Sequence, residues 1–231
     1  MITVTDLRAG YGPLPVLFGI SLEMSRGETL ALIGANGAGK TTTFAVLTGR
    51  IKPQSGHVTL RGGDISSMSP MQIVGAGLSM VPEGRQLFPS LTVEENLLVG
   101  AHCRRSGRWT LERVYEIFPT VAEFRKRPST ALSGGQQQLV AIGRALMSNP
   151  DVLLCDELSL GLSPVAVDTV YVAFDRLRSE GLTTILVEQD IARALSVSNR
   201  FACVRHGQIV LTGASANADR AEISHAYFGM H

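Results

Sequence analysis

Gly34-Ala35-Asn36-Gly37-Ala38-Gly39-Lys40-Thr41 matches the pattern G-x-x-x-x-G-K-[ST] at every fixed position. Each fixed residue type has a physical task there. Glycines let backbone N–H groups turn inward around phosphates, Lys40 adds a positive charge at the β- and γ-phosphates, and the Thr41 hydroxyl is a ligand for Mg²⁺. The flanks agree. Residues 29–33 form the apolar run Thr-Leu-Ala-Leu-Ile of a buried strand, and residues 42–47 read as a helix whose N-terminus points at the anion. Strand, glycine loop, lysine, threonine and helix in that order predict an α/β fold built around a phosphate site.

The 231 residues, 45 % of them hydrophobic, suffice for one substantial core or two closely joined lobes. Lysine plus arginine total 21 against 20 aspartate plus glutamate, a net charge of +1, so no general attraction to nucleic acid or anionic membrane is expected. Cys103, Cys155 and Cys203 are isolated, odd in number and without C-x-x-C spacing. That suggests neither a disulfide framework nor a zinc site and fits a reducing cytoplasm. The start, Met1-Ile2-Thr3-Val4-Thr5-Asp6, lacks the basic and apolar pattern of a signal peptide, and no stretch approaches the ~20 apolar residues of a membrane span. A chain soluble by itself is expected.

Residues 2–8 and 16–23 alternate apolar and polar around the turn-rich Gly10-Tyr11-Gly12-Pro13, which predicts an antiparallel hairpin with one wet face. Tyr11 lies in that turn, where an exposed ring could stack on a nucleotide base or simply occupy the surface. Residues 57–60 return to the β layer, 70–74 read as a short helix, and 77–81 as a strand stopped by Pro82. The following Glu83-Gly84-Arg85-Gln86-Leu87-Phe88-Pro89 has the mixture of charge, glycine and apolar groups of a functional loop. Thr92 is a helix N-cap with Glu95 at the capping-box position. Residues 102–109, with Arg104, Arg105 and Arg108, and Arg113 beyond, read as a solvated helix face, since interleaved aromatics are missing. Residues 111–118 and 121–127 continue the helical pattern. Leu132-Ser133-Gly134-Gly135-Gln136-Gln137-Gln138 is a second glycine-rich loop capping a second helix, and it too offers N–H groups and a positive dipole end. Asp151-Val152-Leu153-Leu154-Cys155-Asp156-Glu157 is an apolar strand ending in two carboxylates, the first suited to Mg²⁺ and the second to activating water. Residues 165–179 form a helix, 183–187 a buried strand ending at Glu188-Gln189-Asp190, 192–198 a helix, and 201–204 with 208–211 a closing hairpin around His206-Gly207. A short helix and a surface end finish the chain.

Taken together, Tyr11, the loop at 34–41, Leu132-Ser133-Gly134-Gly135-Gln136 and Asp156-Glu157 resemble the nucleotide-binding subunit of an ABC transporter over nearly the whole chain. Val81-Pro82-Glu83-Gly84-Arg85, Ser159-Leu160-Gly161-Leu162, Glu188-Gln189 and Ala226-Tyr227-Phe228-Gly229 look most like the LivF-type ATPase of branched-chain amino acid importers. The resemblance implies a P-loop NTPase fold: a RecA-like α/β core with an antiparallel β layer and a helical lobe at about 87–150, inserted in a single ATP-binding domain over 1–231. It implies ATP and Mg²⁺ as ligands. By it, Tyr11 stacks on adenine, and Gly34, Asn36, Gly37, Ala38, Gly39, Lys40, Thr41 and Thr42 hold the phosphates. Thr41, Asp156 and Glu83 form the Mg²⁺ site, and Glu157 activates water. Ser133, Gly134, Gly135 and Gln136 close on the ATP of a second subunit in a sandwich dimer. Two phosphate-facing helix ends, excessive for one nucleotide in one chain, suit a γ-phosphate clamped from both sides. Four positions depart from the common pattern: Glu83 replaces a glutamine, Gln189 a histidine at the γ-phosphate, Leu158 a proline and Ser163 an aspartate.

The resulting expectation is an ATP-hydrolysing subunit, peripheral on the cytoplasmic face of the cell membrane, that drives permease subunits for branched-chain or other hydrophobic amino acids. A second related or identical ATPase is its partner, with a solute-binding protein acting indirectly and no nucleic acid involved. Import of amides or urea is an alternative substrate reading. An ABC ATPase acting on DNA or ribosomes would carry a coiled-coil insertion or tandem units, and neither is present; a GTPase would need N-K-x-D, which is also absent.

Overall fold

The computed structural model describes residues 1–228, and the side chain of Phe228 is outside that description. Two sheets and a helical layer organise them. Strands β1 (Ile2–Tyr11) and β2 (Leu14–Met24) form the expected hairpin; β4 (Ser55–Leu60) pairs antiparallel with β1, and β5 (Gly63–Asp64) closes the sheet in the order β2-β1-β4-β5. Along β1 the buried positions are Ile2 and Val4, then Leu7 and Ala9. The three-residue step between Val4 and Leu7 is a bulge in which Asp6 takes φ 42°, and the extra residue keeps both halves of the strand facing the core.

The second sheet contains β3 (Thr29–Ile33), β6 (Leu78–Val81), β7 (Val152–Asp156), β8 (Thr183–Val187), β9 (Arg200–Arg205) and β10 (Gln208–Ala214), in the order β10-β9-β3-β8-β7-β6. From β9 to β6 the strands are parallel, and β10 returns antiparallel. Every residue of β3, β7 and β8 is buried, which is why they read as continuous apolar runs. Alternate residues of β7 serve different cores. Val152 and Leu154 join the cluster under the antiparallel sheet and α1 (Lys40–Leu47), with Phe44 fully buried there. Leu153 and Cys155 face the other way, toward the helices.

Those helices are α3 (Val93–Gly100), α4 (Leu111–Ile117), α5 (Pro119–Glu123) and α6 (Gly134–Leu146), all between β6 and β7 in the chain. Helix α7 (Pro164–Ser179) packs on α6 and shares its core, while α2 (Pro70–Ala76), α8 (Ile191–Ser196) and α9 (Arg220–Phe228) complete the described residues. Thr92 caps α3 in a full capping box with Glu95, as expected. Among the described residues no helix is long and apolar enough to cross a membrane.

Three local expectations are corrected. Residues 102–109 are not a helix face: a single 3-10 turn at Ala101–Cys103 gives way to a loop. Arg105 bonds Asp151 at 2.5 Å, Arg108 donates to the Glu180 carbonyl at 2.6 Å, and Asn149 accepts the N–H of the buried Trp109 at 2.8 Å. Tyr11 ends β1, opposite Leu14, instead of lying in the turn. Helix α5 stops at Glu123, and 125–127 bond back across the start of α3 through the Arg125 and Arg127 carbonyls. Of the Ala226-Tyr227-Phe228-Gly229 stretch, Gly229 lies outside the described residues, as does the chain end to His231.

Candidate active site

The carboxyl ends of β3, β6, β7 and β8 lie on one edge of a parallel sheet, where an open α/β fold presents loops to a ligand. The loop from β3 to α1 starts with Gly34, whose missing Cβ would lie 2.3 Å from the Val204 carbonyl oxygen, and ends with Gly39 at φ 113°. No larger residue fits the first position, and an L side chain strains the second. Lys40 is buried, and its Nζ donates to the Gly34 carbonyl and, at 3.0 Å, to that of Ala35. Burial pulls the lysine pKa below its usual value, while Glu157 and Asp156 oppose that shift.

A cleft of about 480 Å³ opens on this loop. Asn36, Gly37, Gly39, Lys40, Thr41 and Thr42 line it together with Tyr11, and Glu83, Glu157 and Gln189 reach it from the ends of β6, β7 and β8. Gly34, Ala38 and Asp156 lie in the adjoining framework outside the lining. Tyr11 is 53 % exposed. Val16 and Leu160 also line the cleft, and neither was singled out from the sequence. Val16 is an ordinary member of an alternating strand, so only the fold reveals its position beside Tyr11.

Asp156 is the last residue of β7 and buried; Glu157 follows at φ 50°, half-buried, with its N–H on the Val187 carbonyl at 2.9 Å. Burial pushes the Asp156 pKa up to about 6, with repulsion from Glu157 and Glu83 adding to it and Arg50 and Lys40 opposing. Gln189 Nε2 donates to Glu157 Oε2 at 2.9 Å, so the two predicted residues meet directly. Among the described residues, no group of three or more His, Cys, Asp or Glu side chains could hold a metal ion. Mg²⁺ in nucleotide sites uses one or two protein ligands plus phosphates and waters, and the Thr41 hydroxyl in the cleft with the buried Asp156 carboxylate at the end of β7 supplies oxygen donors of that kind.

Ser133, Gly134, Gly135 and Gln136 are elsewhere. They line a separate pocket of about 540 Å³ with Gly161, Leu162, Ser163 and Val165. Ser133 Oγ accepts the Gln136 N–H at 3.4 Å, and Gln136 Oε1 accepts the Ser133 N–H at 2.9 Å, a capping box that leaves the α6 N-terminus open to that pocket. Sequence reading also passed over Arg144. Its guanidinium donates to the Arg85 carbonyl at 2.9 Å and the Gln86 carbonyl at 2.7 Å, tying the loop that carries Glu83 to α6.

A protein-family model described as ABC transporter matches residues 17–159. The high-affinity branched-chain amino acid transport ATP-binding protein BraG of Pseudomonas aeruginosa is 38 % identical over 233 residues, covering 99 % of this chain and 100 % of BraG. A probable branched-chain amino acid transport ATP-binding protein, LivF of Archaeoglobus fulgidus, is 32 % identical and covers 92 % of each chain. A solved nucleotide-free ATP-binding cassette from an ABC transporter superposes with a TM-score of 0.83 at 26 % identity, over 98 % of this chain and 94 % of that one. With the phosphate loop, the strand-end carboxylates and the second capped helix in the arrangement described, the chain belongs to the ATP-binding ATPase subunits of the ABC transporter family.

Proposed function

We propose that this ATPase powers an importer for branched-chain or other hydrophobic amino acids, as one single ATP-binding domain over residues 1–231. The observation that carries the ATPase chemistry is the convergence of Lys40, Thr41, Glu157 and Gln189 on one cleft, with Asp156 buried beside it. In this reading the loop N–H groups from Gly34 to Thr42 and the Lys40 ammonium hold the phosphates. Tyr11, with Val16, packs on the base. Thr41 and Asp156 would hold Mg²⁺, which would supply charge neutralisation at the phosphates, and Glu83 lines the same cleft. Glu157 takes the proton of the attacking water, a contribution of ~10²–10⁴-fold. Gln189, bonded to Glu157, orients that carboxylate and the γ-phosphate side of the cleft.

The pocket at Ser133, Gly134, Gly135 and Gln136 supports a second cassette as partner, because it lies apart from the cleft of its own chain. Permease subunits are the other partner. An apolar groove of about 680 Å³, with Met80, Val99 and the 71 %-exposed Met71 on its walls, is the face we assign to them. The chain then works peripherally at the inner face of the cell membrane, a solute-binding protein acts only through the permease, and nucleic acid plays no part. The amino acid substrate rests on the likeness to BraG and LivF. The test is reconstitution with the permease subunits and a solute-binding protein: leucine, isoleucine or valine should stimulate ATP turnover. Stimulation by amides or urea and not by leucine overturns the substrate assignment.

A further inference from the structure

Glu188, just beyond β8, is 1 % exposed and lies outside the lining of the ATP cleft. A buried carboxylate persists only when hydrogen bonds replace its lost hydration. Three donors converge on it: Ser159 Oγ to Oε2 at 2.7 Å, the Ser159 N–H to Oε1 at 3.2 Å, and the Tyr171 hydroxyl of α7 to Oε1 at 2.5 Å. Both oxygens are thereby occupied, and the Arg193 guanidinium lies 5.0 Å over the Tyr171 ring. The exits of β7 and β8 are laced in alternation, since the Glu157 N–H reaches Val187, Gln189 reaches the Glu157 carboxylate, and Ser159 reaches Glu188. Glu157 itself is held at φ 50°, a conformation that a non-glycine residue keeps only when its surroundings impose it. The turn that Ser159 begins runs from Leu160, in the ATP cleft, to Gly161, Leu162 and Ser163, in the pocket at the α6 N-terminus.

We infer that Glu188 is a positioning residue: by gripping Ser159 and Tyr171 it sets the backbone that aims Glu157 at water and seats the 159–163 turn between the two halves of the ATP site. The inference rests on the ATPase reading of Glu157. Glu188 touches no substrate, and its effect passes through residues 157 and 159. The full-length chain is measured, with its transporter partners where turnover requires them, for Mg-ATP kcat, KM, nucleotide-binding stoichiometry and melting temperature. Glu188→Gln should lower kcat at least tenfold with KM and stoichiometry within twofold of wild type. Ser159→Ala should lower kcat three- to tenfold, and the double variant should be no worse than Glu188→Gln alone. Should Glu188→Gln fail to fold, Ser159→Ala and Tyr171→Phe, each deleting one hydroxyl, carry the same test. A kcat within twofold of wild type in these variants, or a rise in KM at constant kcat, overturns the role of Glu188. A wild-type chain without ATP turnover overturns the ATPase reading instead.

Discussion

Lys40 is held between opposing demands, because burial disfavours its charge while Asp156 and Glu157 preserve it. Its Nζ donates to the Gly34 and Ala35 carbonyls, which holds the ammonium at the phosphate loop. Lys40→Ala deletes a charge-assisted contact of ~1.5–3 kcal/mol, so ATP affinity should fall about 10- to 100-fold in equilibrium binding of a labelled analogue. An unchanged affinity contradicts the role. Asp156 gives a pH test. Its pKa in the folded chain is raised from 3.8 to about 6, so the native state holds this proton more tightly than the unfolded state does. Stability is therefore lost as pH rises through that window. Asp156→Asn carries no such charge: relative to wild type, its nucleotide-free melting temperature should gain on the order of 5–10 °C between pH 4 and pH 7. It should also lose the Mg²⁺ dependence of ATP binding. A melting difference independent of pH overturns the assignment of a strained, buried carboxylate.

At the scale of elements, α6 carries the face proposed for a second cassette. Its N-terminus opens on a pocket shared with the 159–163 turn, and Val165 beside it is 78 % exposed. Ser133→Arg places a long cation where a partner's phosphate is expected, so ATP binding to one chain should stay within about twofold while ATP-dependent association is lost. Light scattering in a Glu157→Gln background, with the related ATPase included, measures this; association that survives the substitution rules out that face. Elements carried by local signals were legible: the capping box at Thr92, the glycine-rich loop that begins α6, and the apolar runs of β3, β7 and β8 announce themselves within a few residues. The 102–109 loop was not. Its arginines look solvated in one dimension, and only the fold brings Asn149 and Asp151 to them. The grip of Glu188 on Ser159 and Tyr171 joins three separate segments, and hydrogen bonds of that kind leave no trace in spacing.

Across the whole molecule, the parallel sheet gathers Glu83, Asp156, Glu157 and Gln189 at the edge where the phosphate loop emerges. The site residues were readable as a set because each follows an apolar strand. Their mutual geometry was not, the Gln189 to Glu157 bond above all, since it depends on β7 lying beside β8. The helical layer sets the α6 N-terminus apart from the cleft at the phosphate loop, an arrangement that supports the proposed pairing of two cassettes around one ATP. Everything in this account turns on Glu157 as the group that activates water. The most direct test is steady-state hydrolysis and equilibrium Mg-ATP binding by Glu157→Gln, which keeps the side-chain shape and deletes the base. Affinity should stay within about twofold of wild type while turnover falls ~10²-fold or more. Turnover near the wild-type rate would contradict the account.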